Sequence, residues 1–344
     1  MIEKHIVIDE IDPRVLYGAN NTYLRMLKAL YPKLRIVARD NVIKAIGDEL
    51  AITDFESTIE LLISRCAKYN TLRETDIIDI VKGKKPYDEE DEGVIVYDIK
   101  GRPIRAKTEN QQMLVKAYNK QDLMFVVGPA GTGKTYTAIA LAVKALKNKE
   151  VRRLILSRPA VEAGEKLGFL PGDMKDKIDP YLQPLYDALQ DMIPAAKLKE
   201  YMELNIIQIA PLAFMRGRTL NDAVVILDEA QNTTTQQIKM FLTRMGMNTK
   251  MIVTGDMTQI DLPASQTSGL VQALRILKGV KGISFVELNK KDIVRHKLVE
   301  RIVDAYEKFD KEAKAEREKR KNEQLVINGE RPVKLAKEDR KSVV

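Results

Sequence analysis

Gly128 to Thr135 reads GPAGTGKT, a glycine-rich octapeptide closed by a lysine and a hydroxyl residue. Residues of these types at this spacing hold phosphate. Gly131 and Gly133 let successive backbone N–H groups turn inward as an anion nest. Lys134 brings a mobile positive charge to the β- and γ-phosphate oxygens, and the Thr135 hydroxyl is a ligand for Mg²⁺. Gly128, Pro129, Ala130, Gly131, Thr132, Gly133, Lys134 and Thr135 together form the candidate cradle. Its flanks separate it from a chance glycine turn. The apolar run Leu123–Val127 precedes it as a strand would, and Tyr136–Leu146, rich in Ala and Leu, follows as a helix would. The positive end of that helix adds to the field at the phosphates.

A second stretch bears on what happens to the nucleotide. Ala223 to Leu227 is a continuous apolar run ending in Asp228-Glu229-Ala230-Gln231, as expected of a buried parallel strand with acids at its end. Asp228 suits a Mg²⁺ held through water, and Glu229 beside it suits orientation and deprotonation of the attacking water. A strand ending in solvated acids is the plain alternative, and five apolar residues behind a phosphate loop argue against it. In TKMIVTGD (Thr249–Asp256) a third strand ends in polar residues. Thr254, Asp256 and Gln259 are open to two readings, contact with the γ-phosphate or its water, and a Gly-Asp turn closing a strand.

The elements that must position these residues follow from the rest of the chain. Its 344 residues accommodate about two domains with a full core. The formal charge of +8 suits a polyanionic partner such as RNA, while the absence of Trp and an aromatic content of 6% leave few stacking platforms. One cysteine, Cys66, excludes an internal disulfide and fits a reducing compartment. It lies in an apolar helical pattern, as a buried structural thiol does. Two histidines and one cysteine exclude a zinc cluster of the usual spacing. The N-terminus lacks the apolar core of a signal peptide and no run approaches 18 apolar residues, so a soluble cytoplasmic protein without a membrane role is expected.

Residues 1–82 read as a small N-terminal α/β domain. Leu34–Ala38 and Val42–Ile46 are a hairpin about Arg39-Asp40-Asn41, followed by a helix from after Thr53 to about Lys68 and another over Glu74–Val81. Residues 83–105 are an acidic linker and a short hairpin. From 106 to 309 strands near 123–128, 151–157, 205–210, 223–228, 250–254 and 283–288 alternate with helices. That alternation predicts a parallel sheet with helices on both faces, the P-loop NTPase class of α/β fold. Residues 310–344 carry mixed charge without an apolar stripe and read as a disordered tail.

Taken together, GPAGTGKT, VVILDEAQN and VTGDMTQIDLP resemble the PhoH-like family of ATPases, whose core is of the superfamily-one-helicase type. The segment SRPAVEAGEKLGFLPGD (Ser157–Asp173), the run Asp292–His296 and the N-terminal LRIVARDNVIKAIGD strengthen the resemblance. It implies ATP and Mg²⁺ as cofactors, with Gln111 (or its neighbour Gln112) as the adenine reader and Arg295 as the γ-phosphate arginine. A guanidinium there would neutralise transition-state charge. It also implies a bacterial cytoplasmic protein of RNA metabolism, a homo-oligomeric ring and an endoribonuclease partner. Arg158 and Arg216 are open between trans-acting fingers, RNA-backbone contacts and surface salt bridges.

Two lookalikes compete. Asn289-Lys290-Lys291-Asp292 matches the guanine-reading N-K-x-D pattern, but a GTPase needs D-x-x-G at the metal strand, where this chain has Asp228-Glu229-Ala230-Gln231. Ile6–Asp9 resembles the first strand of a nuclease domain, yet residues 1–82 lack the strand-end acids for two metals. The expected function is therefore Mg²⁺-dependent ATP hydrolysis. The alternatives are a nucleotide-gated binding protein with slow turnover and a GTP-specific NTPase.

Overall fold

The computed structural model describes residues 2–83, 93–159, 174–263 and 265–294, and the isolated positions 298, 302 and 305; over 174–179 only the backbone is described. The chain divides into two compact units, Met1–Ile293 and Val294–Val344. In the second unit, the described positions 298, 302 and 305 are helical. Arg295 and the expected tail lie outside the described residues, as does most of the segment 157–173 that supports the family resemblance.

The first unit opens with β1 (Ile2–Val7), α1 (Pro13–Tyr17), α2 (Thr22–Leu30), β2 (Arg35–Arg39), β3 (Val42–Gly47), α3 (Glu49–Tyr69) and α4 (Glu74–Val81). Three antiparallel strands lie in the order β1-β3-β2. β3 alternates buried and half-buried positions, as a strand covered on one face does. Helix α3 packs Ile52, Phe55, Ile59, Leu62, Ile63 and Cys66 against that sheet. Burial pushes the Cys66 thiol up to about 12, which keeps it a small apolar core residue. The expected hairpin and α4 are present. Three elements are additional: the edge strand β1 and the helices α1 and α2. α3 also begins earlier than Thr53, because Asp48 caps it by accepting a hydrogen bond from the Ala51 amide at 3.0 Å.

After the hairpin β4 (Val94–Tyr97) and β5 (Pro103–Arg105) come α5 (Glu109–Lys120), β6 (Leu123–Val127), α6 (Lys134–Lys147), β7 (Arg153–Arg158), α7 (Met174–Met192), α8 (Ala195–Glu203), β8 (Ile207–Pro211), β9 (Ala223–Leu227), α9 (Thr235–Leu242), β10 (Thr249–Gly255), α10 (Gly269–Ile276) and β11 (Ile283–Glu287). The six strands β6 to β11 form one parallel sheet in the order β11-β6-β10-β9-β7-β8. Every residue of β6 and β9 is buried. The period of two divides their side chains between two layers. Met124, Val126, Val224 and Ile226 meet α5, α6, α7 and α8. Phe125, Val127, Val225 and Leu227 meet α9 and α10 on the other face. Helices therefore cover both faces of the sheet.

Strand order decides what can meet at the carboxyl ends. The chain leaves β6, passes over two strand positions to β7, moves outward to β8, then returns through β9 and β10 before placing β11 on the far side of β6. Such reversals open a crevice beyond the strand ends, where α/β sheets bind ligands. β10 lies between the glycine-loop strand β6 and the acidic strand β9, and β7 flanks β9 on its other side.

Candidate active site

The glycine loop runs from the end of β6 to the start of α6. Gly131 and Gly133 have φ of +81° and +77°, the left-handed region that side chains avoid. Gly128 is required for a different reason: a Cβ there would lie 2.4 Å from the Leu288 carbonyl oxygen. Lys134 turns back over the loop, its Nζ donating to the carbonyls of Gly128 at 2.7 Å and Pro129 at 2.8 Å. Thr132 Oγ1 also donates to the Pro129 carbonyl. These bonds brace the loop from within.

Across from it stands the end of β9. Asp228 is buried, with 2% of its side chain exposed. Its Oδ1 accepts from Thr135 Oγ1 at 2.6 Å and from Thr254 Oγ1 at 2.5 Å. Its Oδ2 accepts from Arg158 Nε at 2.8 Å and Nη2 at 2.5 Å. Thr254 is fully buried and its hydroxyl meets the Asp228 carboxylate. Glu229, in left-handed backbone at φ +54°, is the more open acid, with 43% of its side chain exposed. Its Oε2 accepts from Gln231 Nε2 at 2.7 Å.

Gln231 ties the two acidic strand ends together. While Nε2 serves Glu229 and the Gln259 carbonyl, Oε1 accepts from the Asp256 amide at 3.0 Å. Asp256 Oδ1 closes a tight turn by accepting from the amide and hydroxyl of Thr258. Its buried Oδ2 has no protein partner among the described residues, and neither has the buried Ser157 Oγ at the end of β7. Gln259 enters the network through its backbone and is exposed.

A hard divalent cation fits this donor set. A carboxylate and a hydroxyl 2.6 Å apart, with orphaned polar oxygens on neighbouring strand ends, suit Mg²⁺, which keeps several waters and adds phosphate oxygens to one or two protein ligands. Thr135 and Asp228 are the residues that would hold it.

Gln111, near the start of α5, is 4% exposed and lies against the loop. Its Oε1 accepts from the Lys107 amide at 2.7 Å and its Nε2 donates to the Thr132 carbonyl at 3.0 Å. Reading adenine would require exchanging these bonds. Close by, Asn110 Nδ2 donates to Asp292 Oδ2 at 2.7 Å. Asp292 is itself 2% exposed and belongs to a capping box with Asn289. Burial opposes its ionisation, but hydrogen bonds from Asn110, the Asn289 amide and Thr108 outweigh it and hold the carboxyl below its ordinary value. The N-K-x-D lookalike is therefore folded as a local cap, with its acid already engaged.

The bonds of Gln231 and the pairing of Arg158 with Asp228 are not evident from the sequence. Gln231 gave no strand signal, because left-handed Glu229 ends the strand register and Gln231 lies in the short turn Ala230–Asn232 that follows. Arg158 had a weak one, its place at the end of a strand whose neighbour only the sheet order reveals. Arg216 is exposed.

The profile of the family described as PhoH-like protein matches residues 103–307. The chain belongs to the PhoH-like family. A PhoH-like protein of Bacillus subtilis is 49% identical over 302 residues, covering 85% of this chain and 93% of that protein. One from Mycobacterium tuberculosis is 56% identical over 220 residues, covering 63% of this chain and 62% of its own length. Among solved structures, the Pif1 helicase of Candida albicans aligns over 58% of this chain and 43% of that one at 15% identity and a TM-score of 0.32, which adds nothing to the fold described above. The PhoH-like membership and the loop geometry make this a nucleotide-binding protein of the P-loop NTPase class. No helix among the described residues is long and apolar enough to cross a membrane.

Proposed function

We propose that the protein is a Mg²⁺-dependent ATPase. The observation that carries the reading is the 2.6 Å bond from Thr135 to Asp228, which joins the phosphate loop to the acidic strand end beside Glu229. The bound metal would neutralise charge on the phosphates as they part. Lys134, now on the Gly128 and Pro129 carbonyls, would exchange them for phosphate oxygens. Glu229, exposed and aimed by Gln231, would take the proton of the attacking water. The engagement of Asp292 in a local cap disfavours guanine reading, and Gln111 would read adenine by exchanging its bonds to Lys107 and Thr132.

RNA is the partner that the charge and an exposed surface favour. Phe214, 62% exposed, and the exposed Arg216 follow β8 on the edge of the sheet that carries the strand-end site. A ring for stacking beside a cation suits single-stranded RNA. Turnover measured with ATP and with GTP, each with and without RNA, tests the reading. ATP should be preferred by at least about tenfold, worth roughly 1.4 kcal/mol. Binding to RNA should weaken with salt at a log–log slope near −0.7 per phosphate contact. Preference for GTP would overturn the adenine assignment, and absence of RNA binding at low salt in every nucleotide state would overturn the RNA assignment.

A further inference from the structure

Asp228 carries more partners than a waiting metal ligand needs. Two hydroxyls satisfy Oδ1 without bringing charge, and one guanidinium occupies Oδ2 through both Nε and Nη2. Only 14% of the Arg158 side chain and 2% of the Asp228 side chain are exposed. A carboxylate so buried is costly to ionise alone, and a paired cation offsets that cost. Lys134 Nζ donates to the loop carbonyls of Gly128 and Pro129. Among the described residues the cation paired with Asp228 is Arg158.

A divalent ion at Thr135 and Asp228 would have to share this pocket with the guanidinium. Like charges at close range in a weakly screened site disfavour joint occupancy. Arg158 has somewhere to go: Nη1 already donates to the Tyr181 carbonyl on α7 at 3.0 Å, and Nη2 lies 3.9 Å from Glu229 Oε1. Release of Asp228 would leave the arginine with one partner in place and a second within reach.

We propose that Arg158 is the resident counter-cation of the metal site: it holds Asp228 in the nucleotide-free protein, yields that carboxylate to the divalent ion, and thereby sets the site's metal affinity. The inference rests on the reading of Thr135 and Asp228 as metal ligands. Arg158 is on this account a positioning residue. Because the free site must give up its internal ion pair, the apparent metal affinity is lowered by the fraction of protein held in the paired state. An arginine that instead contacts phosphate would act on nucleotide binding with or without metal.

The test uses the full chain saturated with ADP and follows free Mn²⁺ by electron paramagnetic resonance. Arg158→Ala should bind Mn²⁺ at least about tenfold more tightly than wild type, since a competing state has been removed. Arg158→Lys should fall between them, and Asp228→Asn should lose most Mn²⁺ uptake. With EDTA in place of metal, ADP affinity of Arg158→Ala should stay within about threefold of wild type, a shift under 1 kcal/mol. Unchanged or weaker Mn²⁺ binding in Arg158→Ala would overturn the proposal. So would a large loss of ADP affinity in EDTA, which would make Arg158 a phosphate contact. Wild type that takes up no Mn²⁺ with ADP, or the same amount as Asp228→Asn, would overturn the metal site itself. A second measurement stands even if Arg158→Ala does not fold. In wild type the Arg158 Nε–H resonance, identified by its absence from Arg158→Lys, should shift with Mg²⁺ and ADP but not with ADP in EDTA. A resonance indifferent to Mg²⁺ contradicts the handover.

Discussion

The two walls of the active site are built in opposite ways. The phosphate loop is one stretch of eight residues whose shape follows from its own glycines, at φ of +81° and +77° in Gly131 and Gly133. The facing wall draws on β7, β9 and β10: Arg158, Asp228 with Glu229 and Gln231, and Thr254 with Asp256 are far apart in sequence and meet only through the strand order. A local wall survives as a motif and can be read from the chain. An assembled wall depends on topology, and each of its residues has a partner contributed by another strand.

Apart from Glu229, the largest expected effect on turnover is on the local wall. Lys134→Ala removes the charge that meets the phosphates, and hydrolysis should fall by about 10²–10³ while circular dichroism and melting change little. Melting that collapses with activity would mean that the bonds to Gly128 and Pro129, not the phosphates, are what the lysine serves.

A second effect belongs to the far end of the same helix. Lys147 closes α6, and its Nζ donates to Asn70 Oδ1 at 2.8 Å. Asn70 in turn donates to the carbonyls of Tyr97, Asp98 and Met192, joining the end of α3 to the hairpin and α7. Burial pushes the ammonium down from 10.5 to about 8. The unfolded chain therefore binds more protons between those values, and stability contributed at this site rises with pH across that window. The rise is at most on the order of 3 kcal/mol. Cys66 titrates the opposite way, its folded value being raised from 9.0 to about 12, so the comparison must be between wild type and Lys147→Met. Denaturant unfolding at pH 7 and pH 10 should show wild type gaining on the variant; parallel pH profiles would contradict the assignment.

The assembled wall should respond in turnover more than in binding. Gln231→Ala leaves Glu229 without its amide partner and should lower kcat about tenfold, on the order of 1.4 kcal/mol, with nucleotide Kd unchanged. A change in Kd alone would place Gln231 in the loop's service. The smallest effect on the nucleotide site is expected of Asp292→Asn. Loss of the cap should cost stability by about 1–3 kcal/mol, while the ratio of ATP to GTP affinity stays within about threefold. A shift toward xanthine nucleotides would restore Asn289–Asp292 as a base reader.

How much was legible follows the same division. Leu123–Val127 and Ala223–Leu227 announce buried parallel strands because both faces of each are covered, and their ends locate Lys134, Asp228 and Glu229. The pairing of Arg158 with Asp228 was not legible, since β8 separates β7 from β9 in sequence while the sheet sets them side by side. The burial of Thr254 beneath Asp228 likewise depends on β10 lying beside β9. In the N-terminal region β1 escaped because most of its residues are exposed on a sheet edge, which leaves no apolar alternation to read.

The central claim is that this crevice hydrolyses ATP with Glu229 as the base. Rapid-quench single turnover of radiolabelled ATP, run alongside equilibrium ATP binding, tests it in wild type and Glu229→Gln. The account predicts that the variant binds ATP as wild type does and cleaves it slower by about 10²–10⁴. Cleavage by Glu229→Gln at the wild-type rate would contradict it.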